Sequence, residues 1–337
     1  MTTIFLSFDP ASRANYYGSK ALDALRALGE VRMNESPGPL DLAGLLGASR
    51  GCEVIVSDRQ TPGSAGLFAG SPDLVAFLRC AMDIRTVDVT AASAHGVLVT
   101  HASAGFVTAV AEWTLGAMID LSRGISKSVL DYRAGGAPRP AMGRELRGAT
   151  LGVIGYGQIG RRVAALGQAF DMRVVVADPQ VAVSDAGIEQ AGLDEVVACA
   201  DYLVCLAPAL AQNENLMDDA RFARMKQGAC FINAARGELV DEAALLRALD
   251  AGHLAGCALD VGRAPDQMPS PGLARHPRVI ATPHIGGLTV PAVEHQALET
   301  VSQLAALLGG GLPAGAVNPA QASRLARWRR AAPGVRG

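Results

Sequence analysis

Three glycines set the first chemical expectation. In "LGVIGYGQIG", Gly155, Gly157 and Gly160 follow an apolar, strand-like run and open a helix-like one. In that strand–turn–helix setting the G-x-G-x-x-G spacing predicts a dinucleotide cradle. Gly155 permits the tight turn, Gly157 lets the backbone approach a pyrophosphate, and Gly160 lets helix and strand pack closely. Free N–H groups of Gln158 and Ile159 at the helix start would face the phosphates. The next apolar run ends "VVVADP", and its Asp178 lies 18 residues after Gly160. A carboxylate at that distance accepts the adenosine ribose hydroxyls and repels the extra phosphate of NADP, so NAD is the expected cofactor. Arg161 and Arg162, beside the third glycine, would soften that preference.

These residues need a scaffold, and the chain predicts one. Strand-like and helix-like runs alternate almost from end to end, which implies an α/β fold with parallel sheets and crossover helices. Early strands are "TIFLSF", "EVIVS", "VAFLRC" and "GVLVT", while "SPGPLDLAGLLGASRG" reads as a looser connection. A long helix is expected from about Val107 to Arg123, followed by an irregular arm, "DYRAGGAPRPAMGRELRG". A regular strand–helix series then runs to "RVIATP". The last helix, from about Pro291 to Leu308, leads back to the first domain. The expected division is therefore discontinuous: residues 1–100 with 288–320, a cofactor domain at 101–287, and a basic tail at 321–337. That tail, "RLARWRRAAPGVRG", reads as a solvated end.

Composition agrees and excludes. The chain has 337 residues, half of them hydrophobic and 18% charged, which suits two domains with large cores. A net charge of −2 argues against nucleic acid or an anionic membrane as partner. No long charge-free apolar run predicts a membrane span, and "MTTIFLSFDP" reads as a first strand, not a signal peptide. The six cysteines form no C-x-x-C pair and read as buried thiols in a reducing cytoplasm, with no metal site expected.

With "GYGQIG", "NAARGELVDEAAL", "GCALDV" and "TPHIGG" in this order, the chain resembles the D-isomer-specific 2-hydroxyacid dehydrogenases. This family includes phosphoglycerate dehydrogenases and glyoxylate/hydroxypyruvate reductases. The match spans about residues 50 to 310 and is densest from 150 to 290. It implies two Rossmann-like domains with a cleft between them, a homodimer, NAD(H), and a small 2-hydroxy or 2-oxo acid substrate. It makes Arg236 the substrate arginine. A guanidinium grips a 2-oxo acid carboxylate through parallel hydrogen bonds and polarises the neighbouring carbonyl. It makes His284 the acid/base, since imidazole titrates near neutral pH and serves both directions. Asp260 matches an aspartate at the nicotinamide end. Ala234, Ala235, Gly286 and Gly287 fall where backbone contacts to the cofactor are expected, and Thr108 and Pro208 line the same groove.

Two departures stand out. Most members carry a glutamate five residues after that aspartate, paired with the histidine; here the position is Pro265. The next residue, Asp266, is the first candidate to support His284. Further upstream, the family's Gly-x-Gly substrate loop falls on Ala81, Met82 and Asp83. An acid there repels an anionic substrate unless it turns away, and Asp83 is the second candidate partner for His284. Two other readings follow. The lost glutamate suits an NAD(H)-binding regulator or corepressor-like protein with weak catalysis. A formate- or phosphite-oxidising relative is the other; formate enzymes carry glutamine at the glutamate position, whereas Gln267 comes two places late.

Overall fold

The computed structural model describes residues 1–331; the side chains of Asp266, Arg327, Arg329, Arg330 and Ala331 lie outside that description. Two compact units divide the chain: Met1–Gly105 with the chain from Thr289 onward, and Phe106–Leu288.

In the first unit, β1 (Thr3–Leu6), β2 (Glu30–Met33), β3 (Val54–Ser57), β4 (Ala76–Arg79) and β5 (Leu98–His101) form one sheet in the order β2-β1-β3-β4-β5. Every pairing is parallel. "VIVS" and "AFLR" are buried at every position, as strands covered on both faces must be. The stretch read as a loose connection holds a short helix, Leu42–Ala48. The Asp41 carboxylate caps it by accepting the Gly44 N–H, and Leu45 anchors it. Its two glycines hide it from a propensity reading.

The helix Val290–Leu308 belongs to this unit, with Ala297, Leu304 and Leu307 packed in one cluster with Ile4, Leu6 and Leu78. The expected solvated tail is corrected over its first part. Ser323–Ala331 is a helix whose Leu325 is buried in the same cluster. The Trp328 indole N–H donates to Glu53 at 2.9 Å, and Arg324 donates to the Ser71 and Leu74 carbonyls. The rest of the tail, residues 332–337, lies outside the described residues.

In the second unit, β6 (Thr150–Ile154), β7 (Arg173–Ala177), β8 (Ile188–Gln190), β9 (Tyr202–Cys205), β10 (Cys230–Asn233), β11 (Gly256–Leu259) and β12 (Val279–Ala281) form a parallel sheet in the order β12-β11-β10-β9-β6-β7-β8. The order reverses direction at β6, between β7 and β9, and open sheets of this kind gather ligands outside the strand C-termini at such a point. The helix Val107–Arg123 has the bounds that its sequence predicts, and its Ala111, Ala117 and Met118 pack with Leu151 and Val153 of β6. The first residues of the expected arm continue a further helix, Ile125–Arg133; from residue 134 to 144 the chain is irregular. All six cysteines are free, and five are buried.

Candidate active site

The glycine loop leaves β6 and enters the helix Gln158–Ala169, with Gly157 as N-cap and no side chain capping it. The first N–H groups of a helix have no partner within it, so this end is open to an anion. Gly155 sits at φ +96, and a Cβ on it would come 2.7 Å from the Leu206 carbonyl oxygen. The segment after β9, which carries Pro208, can approach only because that Cβ is absent. A Cβ on Gly160 would lie 2.1 Å from the Gly155 oxygen, whereas one on Gly157 would meet nothing within 4 Å. The loop is therefore tight where helix and strand meet and open where a pyrophosphate would lie. Both features fit a dinucleotide.

Asp178 follows β7, and backbone N–H groups hold its carboxylate. Tyr156 N–H donates to Oδ2 at 2.7 Å; Gln180 and Val181 N–H donate to Oδ1 at 2.8 and 3.1 Å. The acid is thus fixed beside the glycine loop.

Arg236 leaves β10 through a turn built by Asn233, which is 1% exposed. The Asn233 amide donates to the Arg236 carbonyl at 2.9 Å and accepts the Ala235 N–H at 3.1 Å. A Cβ on Gly237 would lie 2.2 Å from Gly262, so the Arg236 turn lies directly on the loop that follows Asp260. Asn233 escaped the sequence reading, although it opens the quoted "NAARG". A short amide at a strand end that bonds its own following backbone was the available signal.

Asp260 is 3% exposed and its carboxylate collects three donors. Thr282 Oγ1 donates at 2.7 Å, Ile285 N–H at 2.8 Å and Gly286 N–H at 2.7 Å. These donors flank His284 on both sides, so Asp260 clamps the loop that carries the histidine. His284 has a positive φ of 56, a strained state for a residue with a Cβ. Gly286 abuts Asp260 and Trp113, and Gly287 abuts Phe106 and Val110. The loop therefore rests on the first turns of the helix that carries the exposed Thr108.

"LDVGRAPDQMP" folds into a compact loop. The Gly262 N–H donates to the Gln267 carbonyl at 2.8 Å, and the Ala264 N–H to that of Met268 at 3.0 Å. Arg263 binds the Glu238 and Val240 carbonyls and pairs with Glu214 at 2.8 Å. Pro265 opens a 3-10 turn, Pro265–Gln267, that includes Asp266. The Asp266 side chain lies outside the described residues.

In the other unit, Ala81, Met82 and Asp83 follow β4. Ala81 is buried, Met82 is half exposed, and Arg85 grips Asp83 with its Nε and Nη2, the shortest contact being 2.8 Å. The acid's charge is met by a neighbour two residues on. Beneath the loop, fully buried Arg79 donates to the carbonyls of Asp58 and Thr61 and to the Thr86 hydroxyl. Burial pushes its pKa down to about 10. The sequence reading missed both arginines.

Residues 115–286 match the family model "D-isomer specific 2-hydroxyacid dehydrogenase, NAD binding domain". The chain belongs to this family. It is 36% identical over 279 residues to the D-3-phosphoglycerate dehydrogenase of Rattus norvegicus, an alignment covering 81% of this chain and 52% of that one. The chain spans about half the length of the curated relatives it matches. Among solved structures, the TT0316 protein of Thermus thermophilus aligns with a TM-score of 0.85 at 30% identity, over 94% of this chain and 100% of that one. A D-2-hydroxyisocaproate dehydrogenase aligns at 0.82 and 25%, over 94% and 100%. Among the described residues no group of histidine, cysteine, aspartate or glutamate is arranged to hold a metal, and no helix is long and apolar enough to cross a membrane.

Proposed function

We propose that the chain is an NAD-dependent oxidoreductase that moves a hydride between NAD(H) and a small 2-hydroxy or 2-oxo acid. One observation carries this reading: the glycine loop, Asp178, the Arg236 turn and the clamped His284 loop all follow C-terminal strand ends of one sheet. Gly155, Gly157, Gln158, Ile159 and Gly160 would hold the pyrophosphate and Asp178 the ribose. Pro208, Ala234, Ala235, Asp260, Gly286, Gly287 and Thr108 would border the nicotinamide. When bound there, NADH would supply hydride chemistry.

The residues do the rest. Arg236 binds the carboxylate and draws electron density from the adjacent carbonyl. His284 gives its proton to the carbonyl oxygen in reduction and takes it back in oxidation. Asp260 keeps the histidine loop in place, and Asp266 is the first candidate carboxylate for the imidazole. Asp83 is the weaker candidate for that task, because Arg85 already engages it. Buried free thiols favour a reducing, cytoplasmic setting. A homodimer through the second unit completes the reading.

A turnover assay tests it. NADH absorbance is followed against a panel of 2-oxo acids that includes phosphorylated ones, because curated relatives are named for 3-phosphoglycerate. Consumption of NADH with one of them is expected. NAD reduction only by formate or phosphite would replace this reading with that of a formate- or phosphite-oxidising relative. Tight NADH binding without any turnover would favour a regulator.

A further inference from the structure

The loop after β7 starts at Asp178 and folds back onto the glycine loop at Asp185. One oxygen of Asp185, Oδ2, accepts the Tyr156 hydroxyl at 2.7 Å and the Arg161 guanidinium at 2.9 Å. The same guanidinium lies 4.6 Å from the centre of the Tyr156 ring. The Tyr156 backbone N–H in turn donates to Asp178 at 2.7 Å. Asp178, Tyr156, Arg161 and Asp185 thus form a continuous chain of contacts beside the first turn of the helix Gln158–Ala169.

Arg161 is the cation in that chain, and a guanidinium is the natural receiver of a phosphate. Its charge is committed elsewhere. Asp185 takes one edge and the Tyr156 ring covers a face. A phosphate arriving at the ribose 2′ position would meet Asp178, and the one cation in this contact chain would be held by a second acid. We propose that Asp185 is a specificity-determining residue: by holding Arg161 it closes the adenosine end of the site to the 2′-phosphate of NADPH. The proposal rests on the reading of Gly155 to Asp178 as the cofactor site, and assigns the discrimination to two acids where the sequence pattern points to one.

The magnitude is modest. The Arg161 and Asp185 side chains are 45% and 47% exposed, so solvent screens their attraction. Asn at position 185 keeps an acceptor for the Tyr156 hydroxyl and removes the charge that holds Arg161.

Calorimetric titration of the full chain with NADH and with NADPH, at low ionic strength, tests this without catalysis. In Asp185→Asn the NADPH-to-NADH affinity ratio should rise roughly fivefold, the worth of one exposed charge pair. The gain should come from NADPH and vanish in the double variant Arg161→Ala/Asp185→Asn. Thermal melting monitors folding. An unchanged ratio in a folded Asp185→Asn protein overturns the proposal, as does a gain that survives loss of Arg161. A native protein that binds neither nucleotide removes the cofactor reading itself, and this inference with it.

Discussion

Arg236 sits on a turn whose geometry is set by a buried amide, Asn233, and whose next residue touches Gly262. The guanidinium on this turn donates through Nη1 to the Ala235 carbonyl at 2.7 Å; a substrate contact that tightens in the transition state would make its loss felt in turnover as well as in binding. Arg236→Ala should raise KM for the 2-oxo acid, lower kcat, and reduce kcat/KM roughly 10- to 150-fold, the range for a charged hydrogen bond. NADH affinity should stay nearly intact; wild-type kinetics would remove Arg236 from the site. Asp266 is tested through pH. On the proposed mechanism reduction would use protonated His284, and a close carboxylate would favour the imidazolium. Asp266→Asn should therefore move the alkaline limb of the reduction profile down by about one pH unit, with oxidation suffering less. Asp83→Asn is the matched control and should leave the profile in place; a shift there and none in Asp266→Asn would reassign the partner. The residue types and spacing single out Arg236, His284 and Asp178 as candidates. They do not expose what holds them. That Asp260 collects donors on both sides of His284, or that Arg85 neutralises Asp83, depends on loop paths that no periodicity encodes.

Elements were legible where burial is two-sided or amphipathy is long. The runs "VIVS", "AFLR" and "YLVC" are mostly apolar because both sheet faces are covered, and the helix Val107–Arg123 declares itself over 17 residues. Short helices broken by glycine, such as Leu42–Ala48, fell below that signal. The helix Ser323–Ala331 was hidden by its arginines, because among its described residues Leu325 and Trp328, three residues apart, carry the large apolar side chains. The helix Gln158–Ala169 shows how closely an element's packing is tied to the site. Its Gly160 presses on Gly155, and an added Cβ meets backbone 2.1 Å away, which cannot yield as a side chain could. Gly160→Ala should push the helix off the loop. NADH affinity should fall about tenfold or more, and stability by about 1 to 3 kcal/mol, the usual cost of overpacking. Calorimetry and thermal unfolding read the two effects, and native values in both would show that the loop tolerates a wider turn.

At the scale of the whole molecule, two consequences follow from what is buried and what is not. Burial pushes the Cys205 thiol up from 9.0 to about 12, and pushes Cys80 and Cys257 the same way. Between those values the folded chain keeps a proton that the unfolded chain has lost, so stability is full below about pH 9 and falls as pH rises toward 12. Urea midpoints should drop between about pH 9 and pH 11, and Cys205→Ala should flatten that slope; an identical slope would assign the loss to other groups. The second consequence concerns what solvent sees. The helix Ile125–Arg133 buries none of its residues, and it exposes Ile125 at 51%, Leu130 at 64% and Tyr132 at 66%, with Met142 at 99% in the irregular segment after it. Apolar groups gathered in one stretch of a chain, next to a long helix of the cofactor-binding unit, are the mark of a surface that meets another protein. A second copy of the chain would satisfy that surface symmetrically, since the same patch would then cover itself. Light scattering at micromolar concentration should give the mass of two chains. Leu130→Glu with Tyr132→Glu should give one chain, because two carboxylates on each partner would face their copies across the contact. A native monomer across that concentration range would leave the patch to a different partner and sink the dimer.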